Sequence, residues 1–452
     1  MSRYHFIAIG GSAMHSLAIA LKNNGHEITG SDDAIFDPSL SQLKQAGICP
    51  EVMGWFPEKI KDHLDGVVLG MHAKKDNPEL LKAQAMGLPI FSYPEFIAYY
   101  AKNKTRVVIA GSHGKTSISA MVLHVLNYHQ KSVDYMIGAQ LEGFDNSVFL
   151  SEENDFIVLE GDEYLSSPID PRPKFHHYQP QIALVSGIAW DHVNVFKTEA
   201  DYNQQFERFI DSITAGGVLV YNEEDKGLSQ MVADTQNTIR KESYSILEHS
   251  ISEGTTFLET DEGPLPLEVF GRHNLSNMAG AKWLCQLMGV DEDDFYQAIG
   301  SFRGASKRLE LLAQSDSAYL FKDFAHAPSK VKATTEAVKA QFSDFKITAC
   351  LELHTYSSLD PSFIINYKDS LEKADLPIVF FDPEALKIKN RTPILPQEII
   401  EAFGRADLLV FTDPKELHDY LLAQVYDHTV LLMMSSGNYG ALDWEALKVK
   451  FT

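Results

Sequence analysis

The stretch VVIAGSHGKTSISAMVLHVL, residues 107–126, decides how this chain is read. An apolar run, 107–110, passes through Gly-Ser-His-Gly-Lys-Thr into Ile118, Met121, Val122 and Val125 at helical spacing. Strand, glycine turn and helix in that order make a phosphate loop, in which turn amides and a helix N-terminus face an anion. The first glycine of GxxxxGK[ST] is missing, since Ile109 stands there. What remains has a role at each position. Gly111 and Gly114 permit the turn, Lys115 reaches the outer phosphates of ATP, and the Thr116 hydroxyl is placed for magnesium. Ser112, His113 and Ser117 complete the candidate cradle.

Around this loop the chain reads as α/β in three domains. At 452 residues, a prior of roughly 150 per domain fits three separate cores. Residues 1–104 open with HFIAI, GGSAMH, a helix pattern stopped at Gly25, and EITGSDD, the start of a Rossmann-like unit. The strands GVVLG and LPIF continue it, with helices over 38–46 and 77–86. Residues 105–304 carry the loop and further buried parallel strands at 155–163, 181–188 and 216–225, then hairpin material at 251–270 and a helix over 271–289. Residues 305–452 restart the alternation as a second Rossmann-like unit, with a helix from Pro328 and another expected near 361–373.

Composition narrows the function classes. A net charge of -23 repels nucleic-acid backbones and anionic membranes, so any anionic ligand must be held by local cations, metals or amides. No run approaches the about 18 apolar residues of a membrane span. Cys49, Cys285 and Cys350 have no metal-like spacing and read as reduced core thiols of a cytoplasmic protein.

Other candidate residues cluster at predicted strand ends. FIVLEGDEY places Glu160, Asp162 and Glu163 where magnesium next to a phosphate loop wants a carboxylate. AWDHVN adds Asp191 and His192; the residues alone leave His192 between a metal ligand and a hydrogen-bonding role. Asn274 and Asn277, three apart in GRHNLSN, suit a purine or ribose edge, or equally an ordinary helix cap. Arg308 offers a fork for phosphate or carboxylate, and Asp323 ends a strand beside His326. GGSAMH does not satisfy GxGxxG, but a glycine turn at a helix start can hold a diphosphate. Asp32 or Asp33 is then placed for a ribose hydroxyl.

The order GGSAMH, GSDD, AGSHGKTS, LEGDE, DH, GRHNLSN, KRLE, DFAHAP resembles the Mur ligases over essentially the whole chain. That resemblance implies a three-domain ATP-dependent carboxylate-amine ligase with ATP, magnesium, UDP-N-acetylmuramate and a short peptide as its small-molecule partners. It assigns Lys115 to the phosphates, Thr116 with Glu160 to one magnesium and His192 to a second. It puts Asn274 and Asn277 near adenine, and Arg308 and Asp323 on ATP. Ser12, Ala13, Met14, His15, Asp32 and Asn77 match its UDP-sugar site, and His326 falls among the substrate-binding positions. Lys115, Arg308 and two magnesium ions would carry the phosphoryl-transfer step, and His192 or a carboxylate would serve as the base for the attacking amine.

Within the family, DPRPKFHHYQPQIALVSGIAWDHVNVF (170–196) looks most like the murein peptide ligases, with the Arg-x-Lys-Phe-x-His-Tyr-x-Pro element, Arg172 to Pro180, tipping the choice. These join UDP-N-acetylmuramate to the recycled tripeptide L-alanyl-γ-D-glutamyl-meso-diaminopimelate. The L-alanine ligases of the same family are the nearest alternative, and a non-catalytic ATP-binding regulator is the alternative of another class. One departure stands out: where several relatives carry a carbamylated lysine, the count from His192 reaches Glu207. The expectation for Lys115→Ala is lost turnover in a chain that still folds.

Overall fold

Apolar runs with no polar alternation become strands covered on both faces, which is what a parallel sheet between helices requires. The computed structural model describes residues 1–138, 141, 144, 146–190, 195–252, 254–304, 309–355, 357–384 and 394–452. The chain forms two compact units, Met1–Ser245 with Ser276–Ile299, and Ile246–Leu275 with Gly300–Thr452.

The first unit holds two sheets. In the smaller, β1 (Arg3–Ile7), β2 (Glu27–Ser31), β3 (Gly66–Leu69) and β4 (Ile90–Ser92) run parallel in the order β2-β1-β3-β4. Helices α1 (Ser12–Asn23), α2 (Ser39–Gln45), α3 (Pro78–Ala85) and α4 (Tyr93–Tyr100) alternate with them. A capping box starts α4: the Glu95 N–H donates to Ser92 Oγ, and the Ser92 N–H donates to the Glu95 carboxylate at 2.8 Å.

The larger sheet has the order β11-β10-β9-β5-β8-β6-β7, from β5 (Thr105–Ala110), β6 (Asp134–Met136), β7 (Val148–Phe149), β8 (Phe156–Gly161), β9 (Ile182–Val185), β10 (Val218–Asn222) and β11 (Arg240–Tyr244). Only β7 pairs antiparallel, at the edge. Strand order reverses at β5, so the crevice beyond its carboxyl end is where an open sheet binds ligands. Helices α5 (Lys115–Tyr128), α6 (Glu199–Asp211), α7 (Lys226–Asp234), α8 (Arg272–Leu287) and α9 (Glu292–Ile299) accompany this part of the chain.

The second unit carries a three-stranded antiparallel sheet, β12 (His249–Ser252), β13 (Thr255–Thr260) and β14 (Gly263–Leu267), which is the expected hairpin material. Its six-stranded sheet has the order β15-β16-β20-β17-β18-β19, from β15 (Glu310–Gln314), β16 (Ala318–Asp323), β17 (Lys346–Glu352), β18 (Leu376–Phe380), β19 (Leu409–Phe411) and β20 (Thr429–Met434). The expected helix from Pro328 is α10 (Pro328–Gln341).

The helix expected near 361–373 does not form. Turns and one tight helical turn, Ile364–Tyr367, take its place. Asp360 accepts from the Ser362 N–H at 2.9 Å and its Oγ at 2.6 Å, a local turn that competes with a helix, and Asp369 has φ +61°. Among the described residues, no helix is long and apolar enough to cross a membrane. The three cysteines are free thiols, with Cys285 and Cys350 buried.

Candidate active site

The turn after β5 is built on two glycines with positive φ, Gly111 at 131° and Gly114 at 81°. Neither tolerates a side chain. A Cβ on Gly111 would lie 2.1 Å from Ser186 Oγ, and one on Gly114 would lie 2.3 Å from Asn277 Oδ1. Neighbouring β9 pins the loop, since Ser112 donates its N–H to Gly187 O at 3.0 Å and the Ser186 hydroxyl donates to His113 O. Gly114 caps α5, whose first residues are Lys115 and Thr116, so the helix N-terminus opens on the crevice.

The acidic end of β8 faces this helix start. Thr116 Oγ1 donates to Glu160 Oε2 at 3.2 Å, and Lys115 Nζ lies 2.7 Å from Glu163 Oε2 and 2.5 Å from Gly111 O. Glu163 is fully buried, and its other oxygen accepts from the Tyr202 hydroxyl at 3.0 Å. Burial works against the Lys115 charge, but Glu163, Asp162 and Glu160 together outweigh it and hold its pKa above the usual lysine value. Burial raises the pKa of Glu160, against a hydrogen bond from the Gly138 amide and the Lys115 charge.

Glu160 Oε1 is buried with no hydrogen-bond partner. A buried carboxylate oxygen without a donor is costly, and a divalent cation with oxygen ligands satisfies it. Glu160 and Thr116 therefore fit magnesium, and the glycine cradle fits phosphate.

The remaining candidates scatter. His192 and Arg308, with Asp191, lie outside the described residues. Of the two asparagines only Asn277 reaches the loop, while Asn274 Nδ2 donates back to Phe270 O at 2.9 Å. Ser117 is half-buried on the first turn of α5. Glu207, the residue at the carbamate position, is exposed on α6.

In the first domain, Ser12 is exposed and Ala13 half-buried at the start of α1, while Met14 lies in the core. His15 is buried between helices, with Nε2 2.7 Å from Gln42 Oε1 and Nδ1 3.0 Å from Gly11 O. Asp32 turns back on the glycine turn, Oδ2 accepting from the Gly10 N–H at 2.7 Å, and burial raises its pKa. Asn77 caps α3, its Oδ1 accepting from Glu79 N at 2.9 Å and Leu80 N at 3.2 Å. His15, Asp32 and Asn77 thus make internal contacts, while Ser12 stands exposed at the start of α1.

In the second unit, buried Asp323 uses both oxygens internally. Oδ1 accepts from the Leu309 N–H at 3.2 Å and Oδ2 from Thr334 Oγ1 at 2.7 Å, so it ties the backbone at Leu309 to α10. His326 Nδ1 is 2.7 Å from Phe324 O, and the His326 carbonyl accepts from the Tyr367 hydroxyl.

Two residues escaped the sequence reading. Lys174 Nζ lies 2.5 Å from Asp162 Oδ2 beside the acidic strand end, and Tyr202 reaches Glu163. Lys174 was visible as one of two cations, with Arg172, in the element 172–180, whereas nothing local marks Tyr202.

Known proteins share this arrangement. The family description "Mur ligase family, catalytic domain" matches residues 3–105, and "Mur ligase middle domain" matches 109–285. A UDP-N-acetylmuramate-L-alanine ligase of Caldicellulosiruptor bescii is 30% identical over 406 residues, covering 86% of each chain. The UDP-N-acetylmuramate-L-alanyl-γ-D-glutamyl-meso-2,6-diaminoheptandioate ligase of Escherichia coli is 28% identical over 360 residues, 77% of this chain and 78% of that one. The crystal structure of a UDP-N-acetylmuramate-alanine ligase from Thermotoga maritima has the same fold, with a TM-score of 0.71 at 21% identity over 99% of both chains. The chain belongs to the Mur ligase family, whose members are ATP-dependent ligases that form C–N bonds in peptidoglycan synthesis.

Proposed function

We propose that this Mur ligase joins UDP-N-acetylmuramate to the tripeptide L-alanyl-γ-D-glutamyl-meso-diaminopimelate, with cleavage of ATP to ADP and phosphate. The observation that carries the choice of acceptor is the element 172–180, Arg-x-Lys-Phe-x-His-Tyr-x-Pro, which stands against the acidic end of β8 through Lys174 and Asp162. The Escherichia coli relative that bears the tripeptide in its name supports the same reading. L-Alanine is the rival acceptor, favoured by the higher identity of the Caldicellulosiruptor relative.

In this reading residues 1–104 hold the UDP-sugar, 105–304 hold ATP and 305–452 take the acceptor. The lactyl carboxylate of the muramyl group attacks the γ-phosphorus, an O–P bond forms, the bridging bond breaks and ADP leaves. Loop amides and Lys115 hold the phosphates in line, and Lys115 neutralises charge on the transferring group. Glu160 and Thr116 would hold one magnesium, and His192, on the family pattern, a second. Magnesium, when bound, neutralises phosphate charge.

In the second step the alanyl amine attacks the activated carbonyl, the C–N bond forms and phosphate departs with the C–O electrons. The amine must be neutral to attack, so a base takes its proton; His192 and a strand-end carboxylate are the candidates. The same reading puts the reaction in the cytoplasm, where ATP and sugar nucleotide are available.

The test is direct. With ATP, magnesium and UDP-N-acetylmuramate, phosphate release is expected on adding the tripeptide; release with L-alanine alone transfers the assignment to the rival.

A further inference from the structure

Phe175 fixes a short helical turn, Lys174–His177, beside the acidic end of β8. Fully buried, it stacks on Phe209 with ring centroids 4.7 Å apart and packs edge-on to Phe206 at 5.4 Å. The backbone is tied as well, since Lys174 donates its N–H to Tyr164 O at 3.0 Å and Phe175 donates to Asp162 O at 3.2 Å. Lys174 is thus aimed by packing. Its ammonium lies between the rings of Tyr93, 5.5 Å away, and Tyr164, 5.8 Å away, on Asp162 Oδ2.

The surroundings suit an anion that comes and goes. The Lys174 side chain is 14% exposed, while its partner Asp162 is 33% exposed and can be solvated without it. The Tyr178 hydroxyl is buried with no hydrogen-bond partner. Burial pushes the Tyr93 and Tyr178 phenols well above their usual range, with Asp162 and Glu160 adding to it at Tyr93 and Tyr93 itself ahead of those two at Tyr178, so both stay neutral donors. Charge balance points the same way. Three carboxylates, Glu160, Asp162 and Glu163, against Lys115 and Lys174 leave one negative charge, which a divalent cation turns positive. Without Lys174 the cation-loaded strand end would be neutral and would attract an anion less.

We propose that Lys174 is a positioning residue for the carboxylate of the sugar-nucleotide donor, displacing Asp162 from the ammonium when the donor binds. The inference rests on the proposed function for the identity of that donor. Loop amides and Lys115 are placed for phosphate, whereas Lys174 sits on Asp162, two residues along the chain from Glu160, and over Tyr93, the first residue of α4 in the sugar-binding domain of the proposed reading. A group that links that domain to the metal-binding strand end is the lactyl carboxylate.

The experiment is calorimetric titration of the full chain, in magnesium and without ATP, with UDP-N-acetylmuramate, UDP-N-acetylglucosamine, which lacks the lactyl carboxylate, and ADP. Lys174→Met is expected to weaken UDP-N-acetylmuramate about tenfold, the scale of one charge-assisted hydrogen bond, and to leave the other two within about twofold. Lys174→Arg should restore most of the loss. The double variant Lys174→Met with Asp162→Asn, in which no charge is left unpaired, should show the same selective loss. Unchanged affinity for UDP-N-acetylmuramate in Lys174→Met, or equal weakening of all three ligands, overturns the inference alone. A parent protein that binds UDP-N-acetylmuramate no better than UDP-N-acetylglucosamine overturns the inference and the proposed donor together.

Discussion

Lys115, the lysine of the phosphate loop, is held 2.7 Å from Glu163 at the end of the neighbouring strand, and Glu163 is fully buried. The ammonium that is to meet phosphate is thus neutralised in the free chain by a carboxylate that is itself anchored by Tyr202. The same pair contributes to stability, which changes what substitution of either partner will do.

Removing one partner leaves a buried charge uncompensated. Glu163→Gln is expected to destabilise the chain by about 3 kcal/mol, somewhat eased because the Lys115 side chain is 16% exposed. Denaturant unfolding checks this, and the double variant Lys115→Met with Glu163→Gln should recover part of the loss. Equal stability of single and double variants would show that the pair is not coupled.

Lys115→Ala is expected to lower turnover by more than about 100-fold, the scale for loss of a positioned charge on a transferring phosphoryl group. Unlike the expectation from sequence alone, it should also lower the unfolding temperature, because Glu163 loses its counter-ion. Turnover is therefore read at a temperature where circular dichroism shows the variant folded. Near-normal turnover there contradicts the phosphate-loop assignment.

Glu160 sets a pH dependence. Its folded pKa is raised above the ordinary 4.5, chiefly by burial, so the folded chain binds more protons than the unfolded one from about 4.5 upward. The stability this contributes is complete below that value and is lost as pH rises through the folded pKa. Glu160→Gln should flatten this slope above pH 4.5 in chelator, and should abolish stabilisation by magnesium. Thermal melts across pH with and without magnesium measure both effects; an unchanged slope removes Glu160 as its source.

Phe175→Ala should cost about 3–5 kcal/mol, since it empties a fully buried stack against Phe206 and Phe209. Because Phe175 aims Lys174, the folded fraction should also bind UDP-N-acetylmuramate more weakly than the parent, which titration after removal of unfolded protein would detect.

The sheets are legible in the sequence wherever an apolar run ends in glycine or a carboxylate. Val107, Leu159 and Leu184 sit on strands that are buried on both faces, and such strands need no polar alternation. The edge pair β6–β7 is too short to announce itself, and the failed helix near 361–373 lost to side-chain turns at Asp360. At the site, local signals worked and distant ones did not. The loop, Thr116 and Glu160 follow from chain order alone, and Asn77 before Pro78 and Glu79 carries the signature of a helix cap. By contrast, Asp32 finds its donor 22 residues away in Gly10, and His15 its partner 27 residues away in Gln42. Periodicity holds no record of such pairings, and the Lys115–Glu163 pair spans 48 residues.

The account stands or falls on the amine that receives the activated muramyl group. Purified protein with ATP, magnesium and UDP-N-acetylmuramate should release phosphate and form the amide-linked UDP-muramyl tripeptide, seen by mass spectrometry, when L-alanyl-γ-D-glutamyl-meso-diaminopimelate is offered. It should do neither with L-alanine alone. Turnover with L-alanine would make the chain an L-alanine ligase, and ATP binding without turnover of either acceptor would contradict its role as a ligase altogether.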